Sequence, residues 1–129
     1  MKRVITFGTF DVFHVGHLLI LKRARELGDY LIVGVSTDHL NFSKKKKYPV
    51  YTQEERREII ESISCVDEVF YEHSLEGKRE YLLKYKADIL VMGDDWEGKF
   101  DEFSDICQVV YLTRTPSIST TEVIEKIRQ

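Results

Sequence analysis

Short apolar runs rich in β-branched residues alternate with stretches of helical periodicity along the whole chain, and that alternation leaves few folds open. Residues 4–7 (VITF), ending at Gly8, read as a buried strand, and residues 30–35 (YLIVGV) as a second. Between them Leu18, Leu19, Leu21, Ala24 and Leu27 recur at helical spacing with charged residues interleaved, so 16–27 predicts an amphipathic helix with Gly28 as its C-cap. Strand, helix and strand form a βαβ unit, whose crossover is right-handed. Thr52 with Glu55 three residues on is a capping box opening a helix through Ile63, and 66–71 reads as a third strand. Residues 75–85 follow as helix, 89–92 and 109–112 as strands, and Ser119, Thr120 or Thr121 caps a last helix through Ile127.

The expected fold is therefore α/β: a single-domain, Rossmann-like open parallel sheet of about five strands with helices on both faces. A chain of 129 residues suffices for one core and not for two, so residues 1–129 are read as one domain. In such sheets ligands bind outside the carboxyl ends of the strands, where the strand order reverses. The segments 8–17, 36–51, 93–100 and 113–121 are expected to converge there.

A net charge of −3 argues against a general nucleic-acid binder, so anion chemistry has to come from a local cluster of basic groups. Cys65 and Cys107 lack metal-ligand or redox spacing and read as reduced core thiols. Met1, Lys2 and Arg3 lead into an apolar stretch too short for a signal peptide or a membrane span, so a cytoplasmic protein without membrane attachment is expected. Neither GxGxxG nor GxxxxGK[ST] occurs, which disfavours a dinucleotide oxidoreductase and a P-loop ATPase.

The first loop, GTFDVFHVGH, places His14 and His17 three apart at the start of a helix, where the spacing turns both rings to one side. The free N–H groups and dipole of a helix N-terminus favour an anion, and Gly16 allows close approach to the backbone. A zinc pair and a chance surface pair are the competing readings, the first short of third and fourth ligands. The run of four lysines at 44–47 is either a solvated loop or an anion site, and Asp94 and Asp95 are either nucleotide contacts or an exposed turn.

GTFDVFHVGH resembles the first signature of the cytidylyltransferase family within the HxGH nucleotidyltransferases, and RTPSISTT (114–121) resembles that family's RTxGISTT segment. The stretch 91–101 (VMGDDWEGKFD) is similar to bacterial glycerol-3-phosphate cytidylyltransferases in particular. The resemblance implies that the phosphate of a phosphorylated alcohol attacks the α-phosphorus of CTP in line and that Mg²⁺-pyrophosphate leaves, with Mg²⁺ as cofactor and no protein-built metal site. It implies His14, His17 and Arg114 as catalytic groups. Thr9, Phe10, Asp11, Gly16, Lys46, Asp94, Thr115, Ile118, Ser119, Thr120 and Thr121 are implied for CTP, and Lys44, Lys78 and Arg56 for the acceptor. It further implies a homodimer serving teichoic acid or capsular polymer synthesis. Ser64, Leu75 and Ser117 stand where the glycerol-3-phosphate enzymes carry Arg, Trp and Gly, so phosphoethanolamine or another polyol phosphate stays open as acceptor, and a non-catalytic nucleotide-binding module is the reading from another class.

Overall fold

A computed structural model of the chain describes residues 1–113 and 119–129. Five parallel strands form one sheet: β1 (Arg3–Gly8), β2 (Tyr30–Ser36), β3 (Glu68–Glu72), β4 (Ile89–Gly93) and β5 (Gln108–Leu112), in the order β3-β2-β1-β4-β5. The chain thus works outward from β1 to one edge and returns to build the other half, and β1 and β4 flank the reversal. Five α-helices accompany the strands: α1 (Val15–Glu26), α2 (Asp38–Lys45), α3 (Gln53–Glu61), α4 (Lys78–Lys84) and α5 (Thr120–Arg128).

The three central strands β2, β1 and β4 are buried on both faces, which is why they read as continuous apolar runs, while the edge strands β3 and β5 are only partly buried. Their side chains nonetheless divide with period two. Val4, Leu31, Val33, Val35, Ile89 and Val91 face one way, against Leu21 and Ala24 of α1 and Ile60 of α3. Ile5, Phe7, Ile32, Leu90 and Met92 face the other way, against Leu82 of α4 and Phe103 of the 3₁₀ segment Asp101–Asp105. Helices on both faces are thus borne out.

Gly28 departs from its expected role. Leu27 is the C-cap of α1, in right-handed geometry, and Gly28 does not adopt the left-handed conformation that favours glycine at a helix end. Its requirement is space: a Cβ there would lie 2.7 Å from both the Lys2 carbonyl oxygen and Val4 Cγ2, where the chain turns back beside β1. The capping box of Thr52 and Glu55 forms as expected, and Ser119 is the residue that caps α5, accepting from the N–H of Glu122.

Two features lay outside the sequence reading. The segment between β2 and α3 contains α2, capped by Thr37, so Lys44 and Lys45 end a helix and Lys46 is its left-handed C-cap. Helix α4 begins at Lys78, three residues later than expected, with Gly77 as its N-cap and no side-chain cap. Both cysteines are free, Cys107 buried and Cys65 partly so. No helix among the described residues is long and apolar enough to cross a membrane.

Candidate active site

The carboxyl ends of β1 and β4 open into a cleft of about 750 Å³. Its wall includes Gly8 to Asp11 and His14 of the first loop, Asn41 and Lys45 of α2, Tyr48 to Val50 beyond it, Gly93, Asp95 and Trp96 after β4, and Thr113 and Ser119 to Thr121. The four segments expected to meet do meet in their described residues, because each follows a strand of the same parallel sheet.

His14 and His17 shape the floor. His14 Nδ1 accepts from the N–H of Gly16 at 3.0 Å, and His17 Nδ1 accepts from the N–H of His14 at 3.3 Å, so the pair caps α1 reciprocally. An accepting ring nitrogen carries no proton, which places each ring's N–H at Nε2. The rings stack with centroids 3.9 Å apart. His14 Nε2 lies 3.4 Å from Thr120 Oγ1, whose hydroxyl donates to the Asp11 carbonyl at 3.0 Å and ties α5 to the first loop. Gly16 lines the cleft as expected, but its N–H is engaged by His14 and is not available to an anion.

Burial, reinforced by the neighbouring His14 and only partly opposed by Asp11, lowers the His17 pKa to about 4. His17 is therefore a neutral Nε2–H donor at physiological pH. The unfolded chain takes up a proton near pH 6.5 that the folded protein refuses until about pH 4. This contribution to stability is complete above pH 6.5 and is lost as the pH falls through that window. A urea midpoint measured against pH is expected to decline over this interval in the wild type and to decline less in His17→Gln.

The first loop is held under strain. Phe10 and Val12 have φ of 55° and 48°, and left-handed geometry is a marked outlier for a β-branched residue, costing about 1–3 kcal/mol. Asp11 sits between them and accepts from the backbone N–H groups of Val12, Val50 and Tyr51, which binds the loop to the segment following the lysine run. Asp11 lines the cleft as well, as do Thr9 and Phe10.

Arg56, expected to contact the acceptor, is placed elsewhere. Its side chain is 0% exposed, and it donates to the carbonyls of Tyr51, Thr9 and Ser36 and to Asp38 Oδ1 in four hydrogen bonds of 2.8–3.1 Å. A guanidinium so committed has no face left for a substrate. It ties together the first loop, the end of β2, the start of α2 and the approach to α3. Asn41, which the sequence reading missed, continues this network, accepting from Thr9 Oγ1 at 2.9 Å and donating to Ser36 Oγ at 2.8 Å.

The lysine run also divides differently from expectation. Lys45 and Lys47 line the large cleft, whereas Lys46 is the exposed C-cap of α2 and lies off its wall. Lys44 lines a second, smaller pocket of about 40 Å³, with Glu72, Leu75, Lys78 and Phe100. The two pockets share Phe7, Gly8, Thr9, Met92 and Trp96 and so adjoin at the end of β1. Asp95, not Asp94, faces the large cleft. Arg114, Thr115 and Ile118 lie outside the described residues, as does Ser117.

Lys78 and Glu72 form a buried ion pair, Nζ to Oε2 at 2.9 Å, each side chain 3% exposed. The ammonium also lies over the Phe7 ring, 3.7 Å from its centroid. Burial lowers the Lys78 pKa, opposed by Glu72, and loss of water lowers that of Lys44 against the same carboxylate.

A doubly wound parallel sheet with a histidine pair, hydroxyls and lysines gathered at its switch point defines an α/β protein that handles phosphorylated ligands. The pattern of the Cytidylyltransferase-like family matches residues 5–126, and the chain belongs to that family. It is 52% identical over 127 residues to the glycerol-3-phosphate cytidylyltransferase of Bacillus subtilis (strain 168), covering 98% of each chain. To the enzyme of the same name from Staphylococcus aureus (strain NCTC 8325 / PS 47) it is 50% identical over 127 residues, covering 98% of this chain and 96% of the relative. Among solved structures, the lipopolysaccharide core biosynthesis protein from Thermoplasma volcanium GSS1 superimposes with a TM-score of 0.75 at 25% identity, over 89% of this chain and 98% of that one.

Proposed function

We propose that the protein is a glycerol-3-phosphate cytidylyltransferase, forming CDP-glycerol and pyrophosphate from CTP and sn-glycerol 3-phosphate. The observation that carries this reading is the pair of adjoining pockets: a large cleft over the histidine pair, of a size for a nucleotide, and a small one with two lysines, joined at Gly8 and Thr9. Two phosphorylated substrates so placed meet where one must attack the other.

An oxygen of the acceptor's phosphate forms the new bond to the α-phosphorus of CTP, and the bond from that phosphorus to the bridging oxygen of pyrophosphate breaks. The acceptor phosphate is already ionised near neutral pH, so no general base is required. The protein's work is alignment and stabilisation of the charge that grows on the phosphoryl oxygens. His14 and His17 donate from Nε2, the α-phosphate taking the hydrogen that His14 otherwise directs at Thr120. Lys45 and Lys47 line the nucleotide cleft, with Ser119, Thr120 and Thr121 at the N-terminus of α5. Lys44 and Lys78 hold the acceptor phosphate from the small pocket.

No group of three or more metal-ligating side chains occurs among the described residues. Mg²⁺ is proposed to be carried mainly by nucleotide phosphates and water, with Asp95 as a carboxylate on the cleft wall to assist. When bound, the ion would neutralise charge on the departing pyrophosphate. Arg114 and Thr115 are proposed to complete the triphosphate site. A cytoplasmic homodimer supplying a teichoic acid or capsular polymer completes the proposal.

Purified protein with CTP and Mg²⁺ is expected to release pyrophosphate with glycerol 3-phosphate at roughly 1 s⁻¹ or faster. Ribitol 5-phosphate, phosphoethanolamine and phosphocholine are expected to be poor acceptors. Turnover of one of these with glycerol 3-phosphate inert would overturn the acceptor assignment, and silence with all four would favour a binding module.

A further inference from the structure

The Glu72 carboxylate is only half used. Oε2 is bound to Lys78 Nζ at 2.9 Å, while Oε1 has no hydrogen-bond partner among the described residues. No fully buried side-chain oxygen in them is left unsatisfied, so Oε1 is not sealed off, and Glu72 lines the small pocket. An acceptor oxygen without a partner, on a residue 2% exposed that lines a pocket with Thr9, Ser36, Lys44 and Lys78 and the apolar side chains of Leu75, Met92 and Phe100, is a feature that a ligand can satisfy.

We propose that Glu72 Oε1 selects the acceptor by taking a hydrogen bond from one of its hydroxyl groups, making Glu72 the residue that reads the polyol. This rests on the acceptor site proposed above and deepens it.

The charges favour a neutral donor. Two ammonium groups, Lys44 and Lys78, stand against one carboxylate in the pocket, which leaves a net positive charge for the phosphate. Lys78 already neutralises Glu72 at contact distance, so the ammonium of an amino alcohol would enter beside two like charges. A hydroxyl satisfies Oε1 without that repulsion. A trimethylammonium head carries the same unfavourable charge and has no hydrogen to donate to Oε1. The pocket therefore disfavours phosphoethanolamine by charge and phosphocholine by charge and by its missing donor.

The test compares glycerol 3-phosphate with n-propyl phosphate, which keeps the three-carbon chain and the phosphate but lacks both hydroxyls, in the wild type and in Glu72→Asp. The aspartate keeps a carboxylate for Lys78 and withdraws the oxygen from the pocket. In the wild type, kcat/KM is expected to favour glycerol 3-phosphate by roughly ten- to a hundredfold, the range for a hydrogen bond to a charged group. In Glu72→Asp the ratio is expected to collapse to a few-fold, with the loss falling on glycerol 3-phosphate. If the variant loses the same factor on both acceptors, Glu72 only positions Lys78 and the proposal is overturned; a wild type indifferent to the hydroxyls overturns it without any variant. Failure of the wild type to use glycerol 3-phosphate at all is a different result, because it removes the proposed function itself.

Discussion

His17→Ala and His14→Asn are each expected to lower kcat by on the order of 10²–10³, the cost of removing a hydrogen-bond donor aimed at developing charge. KM for CTP should move much less, since the donors act most strongly on the transition state. The asparagine separates the two jobs of His14. Asn is a good N-cap and can accept from the Gly16 N–H as His14 Nδ1 does, so α1 should keep its start. It cannot place a donor where Nε2 stands. Steady-state pyrophosphate release together with a thermal melt decides the matter: an active His14→Asn protein would reduce the histidine pair to a capping device. His17→Ala loses a cap acceptor as well as a donor, and a stability loss of about 1 kcal/mol is expected alongside the rate loss.

Arg56→Met is expected to destabilise the fold by about 3–5 kcal/mol, because it takes the guanidinium from Asp38 and removes a donor from each of the Thr9, Ser36 and Tyr51 carbonyls, of which Ser36 keeps only the longer bond from Asn41. For a chain of this size that is a fall of roughly 10–20 °C in Tm. Arg56→Lys should recover little, since one ammonium cannot reproduce a planar fork that reaches Thr9, Ser36, Tyr51 and Asp38 together. Activity that survives below the melting temperature should show a reduced kcat, because the Thr9 carbonyl belongs to the loop that carries the histidines. The opposite pattern, an unchanged Tm with a raised KM for glycerol 3-phosphate, would return Arg56 to the substrate. The two outcomes are read by calorimetry and by acceptor titration.

These expectations differ in how far the sequence foreshadowed them. The histidine pair was legible because its signal is local: two rings three residues apart at a helix start, after a strand, cannot avoid the strand ends. Ser119 as cap of α5 and the box of Thr52 and Glu55 were legible for the same reason. Arg56 was expected at the acceptor only through the resemblance, because nothing in the residues around it distinguishes a helical arginine that faces solvent or a ligand from one that is buried. Its burial is a sum over four partners from different parts of the chain, and no window around position 56 contains that sum. The lysine run was ambiguous for a related reason. Four identical side chains carry no periodicity, so nothing local distinguishes Lys45 and Lys47, on the cleft wall, from Lys46, which caps α2 away from it.

By itself the sequence determined the alternation of strands and helices, the parallel sheet buried on both faces, and the end of that sheet at which chemistry gathers. Periodicity, capping and glycine placement act over a few residues, and the handedness of a βαβ crossover does the rest. Only the tertiary structure decided which charges are structural and which are presented. It drew Arg56 into the interior, set Asp95 and not Asp94 on the cleft, and paired Glu72 with Lys78 across the turn before α4 through one carboxylate oxygen. The physical reason is that desolvation of a charge depends on everything packed around it, and that environment exists only once the chain has folded.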